Sequence, residues 1–125
     1  MFRKAQPTPP TSRDAGSRGE TLAREYLEKK GYRFLTQNWR CKLGEIDLLM
    51  QDGDDRVLVE VRLRAPTTYG AGFETVSYQK QKKLIRAAKF YQQKESYWGN
   101  LRFDVVSITE QRGQPPHIEH ITAAF

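Results

Sequence analysis

The sequence predicts one α/β domain, a sandwich in which helices flank a mixed sheet. Three observations carry that reading: two amphipathic stretches with helical spacing, a central hairpin of alternating apolar residues, and a further apolar strand after the second helix. A chain of 125 residues holds one compact domain, with or without a tail, and no second core.

Met1 to about Ala15 holds Pro7, Pro9 and Pro10 among Thr, Ser, Arg and Lys, so residues 1–15 are expected to be a disordered tail and 16–125 the domain. Leu22, Ala23, Tyr26 and Leu27 then repeat at helical spacing with Gly31 as a stop, predicting a helix from about Ser17 to Lys30. Tyr32, Phe34 and the residues to Asn38 read as a short strand. Ile46, Leu48 and Met50 precede Asp52-Gly53-Asp54-Asp55, a strong turn signal, and Val57, Val59 and Val61 follow it. A turn centred between Gly53 and Asp54 pairs Ile46 with Val61, Leu48 with Val59 and Met50 with Val57, and burial of three apolar pairs favours this register. Pro66 to Thr75 is a loop with Gly70 and Gly72. Gln79 to Gln93 is a second helix, with Leu84, Ile85, Ala88 and Tyr91 as its apolar stripe. Arg102 to Thr109 is a core strand, followed by a Gly113 to Pro116 turn and a short apolar end at Ile118 to Phe125. No internal repeat is visible.

No stretch exceeds three consecutive apolar residues, so the sequence predicts neither a cleaved signal nor a membrane span. The lone Cys41 makes no internal disulfide and no zinc cage, which suits a cytoplasmic protein. A net charge of +6, from 21 Lys+Arg against 15 Asp+Glu, favours a polyanionic partner, nucleic acid first among them.

The hairpin register places Asp47 across from Glu60 and Glu45 across from Arg62, on the face opposite the apolar pairs. Directly opposed carboxylates repel, and something must offset that. A hard cation such as Mg²⁺, which takes carboxylate oxygens, waters and phosphate oxygens, would do so. Neutralisation by Arg62 or Arg64 on a solvated sheet face would do so equally.

Gly16, Gly19-Glu20, Ala23, Tyr26-Leu27, Asn38-Trp39-Arg40, Gly44-Glu45-Ile46-Asp47-Leu48, Val59-Glu60-Val61-Arg62-Leu63-Arg64, Lys80, Leu84, Ala87-Ala88 and Arg102-Phe103-Asp104-Val105-Val106 resemble the YraN-like family of bacterial proteins. The match runs from about Gly16 to Phe125, and the set is specific in its order and spacing although each string alone is weak. That family is similar to archaeal Holliday-junction resolvases and resembles the PD-(D/E)xK nuclease fold. The resemblance implies a restriction-endonuclease-like three-layer sandwich, with Asp47 at the motif's Asp, Glu60 at its second acid and Glu20 at the acid of the first helix. It implies Mg²⁺ or Mn²⁺ at Asp47 and Glu60, and phosphodiester hydrolysis in structured DNA, DNA being favoured over RNA. A homodimer is expected only by analogy, because a junction resolvase must cut two strands.

The chain departs from the pattern at position 62, where the family has Lys and this sequence has Arg62. Arginine stays protonated and cannot act as a base, but it clamps phosphate. Arg62 therefore fits a nuclease that uses it as a phosphate clamp, and fits equally a nucleic-acid-binding module without turnover. Lys80 is a candidate for a migrated lysine, and also for an ordinary solvated one. Lys80, Lys82, Lys83, Arg86 and Lys89 place five cations and no acid in ten residues; with Arg40, Arg62 and Arg64 they would frame a phosphate-tracking groove. A surface that serves solubility, or one that docks an acidic protein, has the same composition.

Weaker features complete the reading. His117 and His120 flank Glu119 without a third ligand and are poor zinc candidates, expected at the surface. Gly70-Ala71-Gly72 lacks the rest of a phosphate loop. Trp39, Tyr97 and Trp98 serve stacking on bases or packing.

Overall fold

The computed structural model describes residues 12–64 and 76–125. The order is α1 (Ser12–Lys29), β1 (Arg33–Cys41), β2 (Gly44–Asp52), β3 (Asp55–Arg64), α2 (Tyr78–Glu95), β4 (Asn100–Thr109) and β5 (His117–Ile121). The strands form one mixed sheet in the order β1-β2-β3-β4-β5, antiparallel except for the parallel β3–β4 pair. The parallel pair requires a crossover, and α2 is part of it. The predicted α/β sandwich is thus present as two helices on a five-stranded mixed sheet.

The two helices cover opposite faces. Ala23 and Leu27 of α1 pack on Leu48, Met50, Val57, Val59, Val106 and Ile108, whereas Ala87, Ala88 and Tyr91 of α2 pack on Ile46, Leu49 and Leu58. Both faces of β2, β3 and β4 are therefore buried, as in sheets covered by helices on both sides. Gly19 marks the α1 contact: a Cβ there would lie 3.6 Å from Val61 Cγ1. That is an ordinary van der Waals distance, and it places this turn of α1 over Val61 and Leu63 of β3.

Differences from the sequence expectation have local causes. The helix α1 begins at Ser12, ahead of the expected Ser17; residues 1–11 of the expected tail, and 65–75 of the loop with Gly70-Ala71-Gly72, lie outside the described residues. Ile85 is 39% exposed and does not belong to the apolar stripe, which Ala87 completes instead. The C-terminal apolar segment supplies a strand, β5, paired with β4.

The hairpin register holds over Asp52↔Asp55, Gln51↔Arg56, Met50↔Val57, Leu49↔Leu58 and Leu48↔Val59. It does not extend to Ile46 and Val61. Ile46 packs beneath α2 and Val61 beneath α1, although Ile46 and Leu48 are two residues apart and strict alternation would put them on one face. The alternation slips at Asp47, whose Oδ2 accepts a hydrogen bond from the Val61 N–H at 2.9 Å. A side chain has taken the place of a ladder carbonyl.

Candidate active site

The slip at Asp47 creates the site. Beyond Leu48↔Val59 the β2–β3 ladder gives way, and Asp47 and Glu60 stand there together. Two helices and the start of β2 bring further charged groups to them. From α1 comes Glu20, 8% exposed and hydrogen-bonded by the Asn38 side chain of β1. Asn38 holds a left-handed backbone (φ 56°), a conformation that Asn tolerates better than most residues. From the start of β2 comes Glu45, whose partner is Arg40 on β1 at 3.5 Å, and not Arg62 as the sequence register implied. From α2 comes Lys80.

Lys80 is positioned by a cap. Ser77 Oγ accepts from the Lys80 N–H at 3.2 Å, which fixes where the helix starts. The Lys80 ammonium then reaches to 3.7 Å from Glu60 Oε2, inside the 4.0 Å separating Arg62 Nε from the same oxygen. Glu60 and Arg62 lie on the α2 side of β3, in the alternation set by Leu58. Lys80, for which the sequence left open a migrated lysine and an ordinary solvated one, pairs with Glu60 at the border of the carboxylate cluster.

Two carboxylates in this fold meet opposite fates. Asp104, fully buried on β4, would be pushed up by burial, but hydrogen bonds from His120, Arg102 and the Ala123 N–H outweigh it and lower its pKa to about 2. Arg102 donates to both oxygens of Asp104 at 3.0 Å and spans on to Asp52 and Asp55 at 3.0 and 3.1 Å, neutralising the pair opposed across the hairpin turn. Asp47 is raised from 3.8 to about 7, by burial first and then by the charges of Glu60, Glu20 and Glu45, the Val61 bond compensating only in part. Glu20 is raised too, chiefly by burial. Where this chain neutralises carboxylates it embeds an arginine among them. In the Asp47 cluster the raised acids, Asp47 and Glu20, are pushed up by burial and by neighbouring carboxylates, the kind of perturbation that makes a group a candidate for function.

The remaining sequence candidates separate. Arg40 lies at the edge of the cluster, and Arg64 ends β3. Lys82 stands over the Tyr78 ring, and Lys83 and Arg86 are exposed along α2. Trp39 packs edge-on against Tyr91 with ring centroids 5.3 Å apart, a core contact. Tyr97 lies under Arg56, while Trp98 is exposed. His117 is exposed beside Glu119, but His120 is not a surface residue. Its side chain is 2% exposed and sits between Asp104 Oδ2 at 2.7 Å and Lys30 Nζ at 3.0 Å. Since the Lys30 ammonium only donates, His120 Nδ1 accepts and Nε2–H donates to Asp104. Sequence reasoning missed Asn38 and this Asp104 network; the apposition of charged Arg102 and Asp104 in a core strand was the available signal.

Among the described residues no three His, Cys, Asp or Glu side chains form a ready metal cage. The oxygen-only donor pair of Asp47 and Glu60 does not suit zinc. It fits a hard cation that completes its shell with water and phosphate oxygens.

The fold and site define an α/β protein with a carboxylate cluster at the end of a hairpin ladder, bordered by Lys80 and Arg62. Residues 19–108 match the model of the Uncharacterised protein family UPF0102. UPF0102 proteins of Pseudomonas syringae pv. syringae (41% identical, covering 92% of this chain and 95% of the relative), Pseudomonas putida (44%, 92% and 92%) and Stutzerimonas stutzeri (44%, 91% and 96%) are similar over nearly their whole length. The chain belongs to UPF0102, the YraN family.

Proposed function

We propose that this protein is a metal-dependent nuclease that hydrolyses phosphodiesters in structured DNA, on a sandwich of the restriction-endonuclease-like class. The convergence of Asp47, Glu60 and Lys80 where the β2–β3 ladder ends is the observation that carries the reading. Asp47 and Glu60 would hold Mg²⁺ or Mn²⁺, which stabilises charge on the scissile phosphate and makes bound water more acidic. Glu20, held by Asn38, presents its carboxylate from the opposite side and orients water. Arg62 keeps its proton and binds a phosphate oxygen. Lys80 adds a second cation beside Glu60, an ammonium on a flexible stem that can follow a phosphate oxygen. Arg40, Arg64, Lys82, Lys83 and Arg86 attract the backbone. The reading suits a cytoplasmic enzyme, and a homodimer if two strands are cut.

A calorimetric Mn²⁺ titration tests the site. Wild type should bind Mn²⁺, with Asp47→Asn and Glu60→Gln at least tenfold weaker. Equal binding by all three removes the site. Because Arg62 cannot act as a base, the second reading is a module that binds nucleic acid without turnover; retained DNA binding with no cleavage under Mg²⁺ or Mn²⁺ would establish it.

A further inference from the structure

The outer face of α2 carries a feature that phosphate attraction does not explain. Leu43, at the tip of the β1–β2 turn, is 43% exposed. Gly44 follows with φ +152°, a backbone that L side chains rarely adopt, and approaches Ala87 of α2. The turn thus lies beside the helix, and Leu43, Arg86, Lys89, Phe90 and Gln93 line an open groove of about 210 Å³. The helical run from Lys80 to Lys89 contains no acid to neutralise those cations.

An open groove lined by an apolar and an aromatic side chain, two cations and one amide suits a flat ring joined to an anion. A nucleobase stacks on Phe90 and Leu43, its phosphate meets Arg86 or Lys89, and the Gln93 amide offers both a donor and an acceptor to the base edge. The groove and the cluster share α2 but not one side of it: at 100° per residue Phe90, Arg86, Gln93 and Lys89 stand about 80° to 180° around the helix from Lys80. A base within a duplex is stacked and paired and cannot enter such a groove; an unpaired one can.

We infer that the Leu43–Phe90 groove is a subsite for an unpaired nucleobase, so that the substrate is nucleic acid with a single-stranded segment that reaches α2. This deepens the nuclease reading and depends on it.

Fluorescence polarisation in EDTA tests it with a labelled single-stranded oligonucleotide, the same sequence as duplex, a version abasic throughout, and a polyglutamate peptide. Wild type should prefer the single strand over the abasic form. Leu43→Ser should weaken single-strand binding about fivefold or more and leave duplex binding within twofold; Lys89→Ala should weaken both. Circular dichroism checks that each variant is folded, and Leu43 is exposed enough for a serine to be tolerated. Unchanged single-strand binding by Leu43→Ser, or equal binding of abasic and normal strands, overturns the subsite while leaving the nuclease reading in place. No binding of any nucleic acid overturns both. Polyglutamate bound more tightly than the single strand, and weakened by Leu43→Ser, assigns the groove to an acidic protein instead.

Discussion

Lys80 Nζ lies 3.7 Å from Glu60 Oε2, although the two residues belong to different elements and lie twenty positions apart. This contact changes the meaning of Arg62. On the nuclease reading proposed above, Lys80, held in the first turn of α2 by the Ser77 cap, would serve in place of a lysine at position 62. On that reading Lys80→Ala should lower cleavage about 100-fold or more, the usual cost of removing a donor that stabilises developing charge. Arg62→Lys should raise cleavage or leave it unchanged while binding barely moves. A Lys80→Ala variant that cleaves at the wild-type rate would return Lys80 to the basic surface.

Without metal, the charge in the cluster opposes folding. Asp47→Asn keeps an oxygen for the Val61 N–H but removes a charge that burial and Glu60 disfavour. The variant should be more stable than wild type at neutral pH, by at most about 4 kcal/mol for the shift from 3.8 to about 7. Urea denaturation measures the gain, and saturating Mn²⁺ should reverse the ranking. A destabilised Asp47→Asn would show that the repulsion is not there.

Asp104 has the opposite sign. Its pKa is lowered from 3.8 to about 2, so the folded state holds fewer protons than the unfolded one between those values, and stability falls as pH drops through that window. The shift corresponds to about 2.5 kcal/mol, present above pH 4 and lost toward pH 2. Arg102→Ala, which strands a buried carboxylate, should cost about 3 to 5 kcal/mol at pH 7. Thermal unfolding across pH reads both effects; an Arg102→Ala variant of wild-type stability would contradict them.

DNA affinity should fall steeply with salt, each neutralised phosphate adding about −0.9 to the log–log slope. Charge reversal at Lys82, Lys83 and Arg86 should flatten that slope in a gel-shift series. An unchanged slope would mean that the outer face of α2 serves solubility alone.

The sequence made the hairpin legible because its turn residues and its burial pattern agree on one register. It misplaced Ile46 because the slip at Asp47 is caused by a side chain bonding to Val61 N–H, which no alternation rule contains. Asp47, Glu60 and Glu20 were found as acids; the proximity of Lys80 depended on where α2 begins. The network of Tyr32, Arg102, Asp104 and His120 was hidden because its partners come from distant parts of the chain, Tyr32 lying 70 residues from Arg102. The stripe of α2 was read with Ile85 in place of Ala87, since apolar spacing alone does not say which residue faces the sheet.

Cleavage of a labelled branched DNA with single-stranded segments, measured against Mn²⁺ concentration for wild type and Asp47→Asn, tests the central claim most directly. Wild type should cut with a rate that saturates in Mn²⁺, and Asp47→Asn should bind the same DNA in EDTA while cutting at least 100-fold more slowly. Equal rates for the two proteins, or no cutting by wild type at any Mn²⁺ concentration, would contradict it.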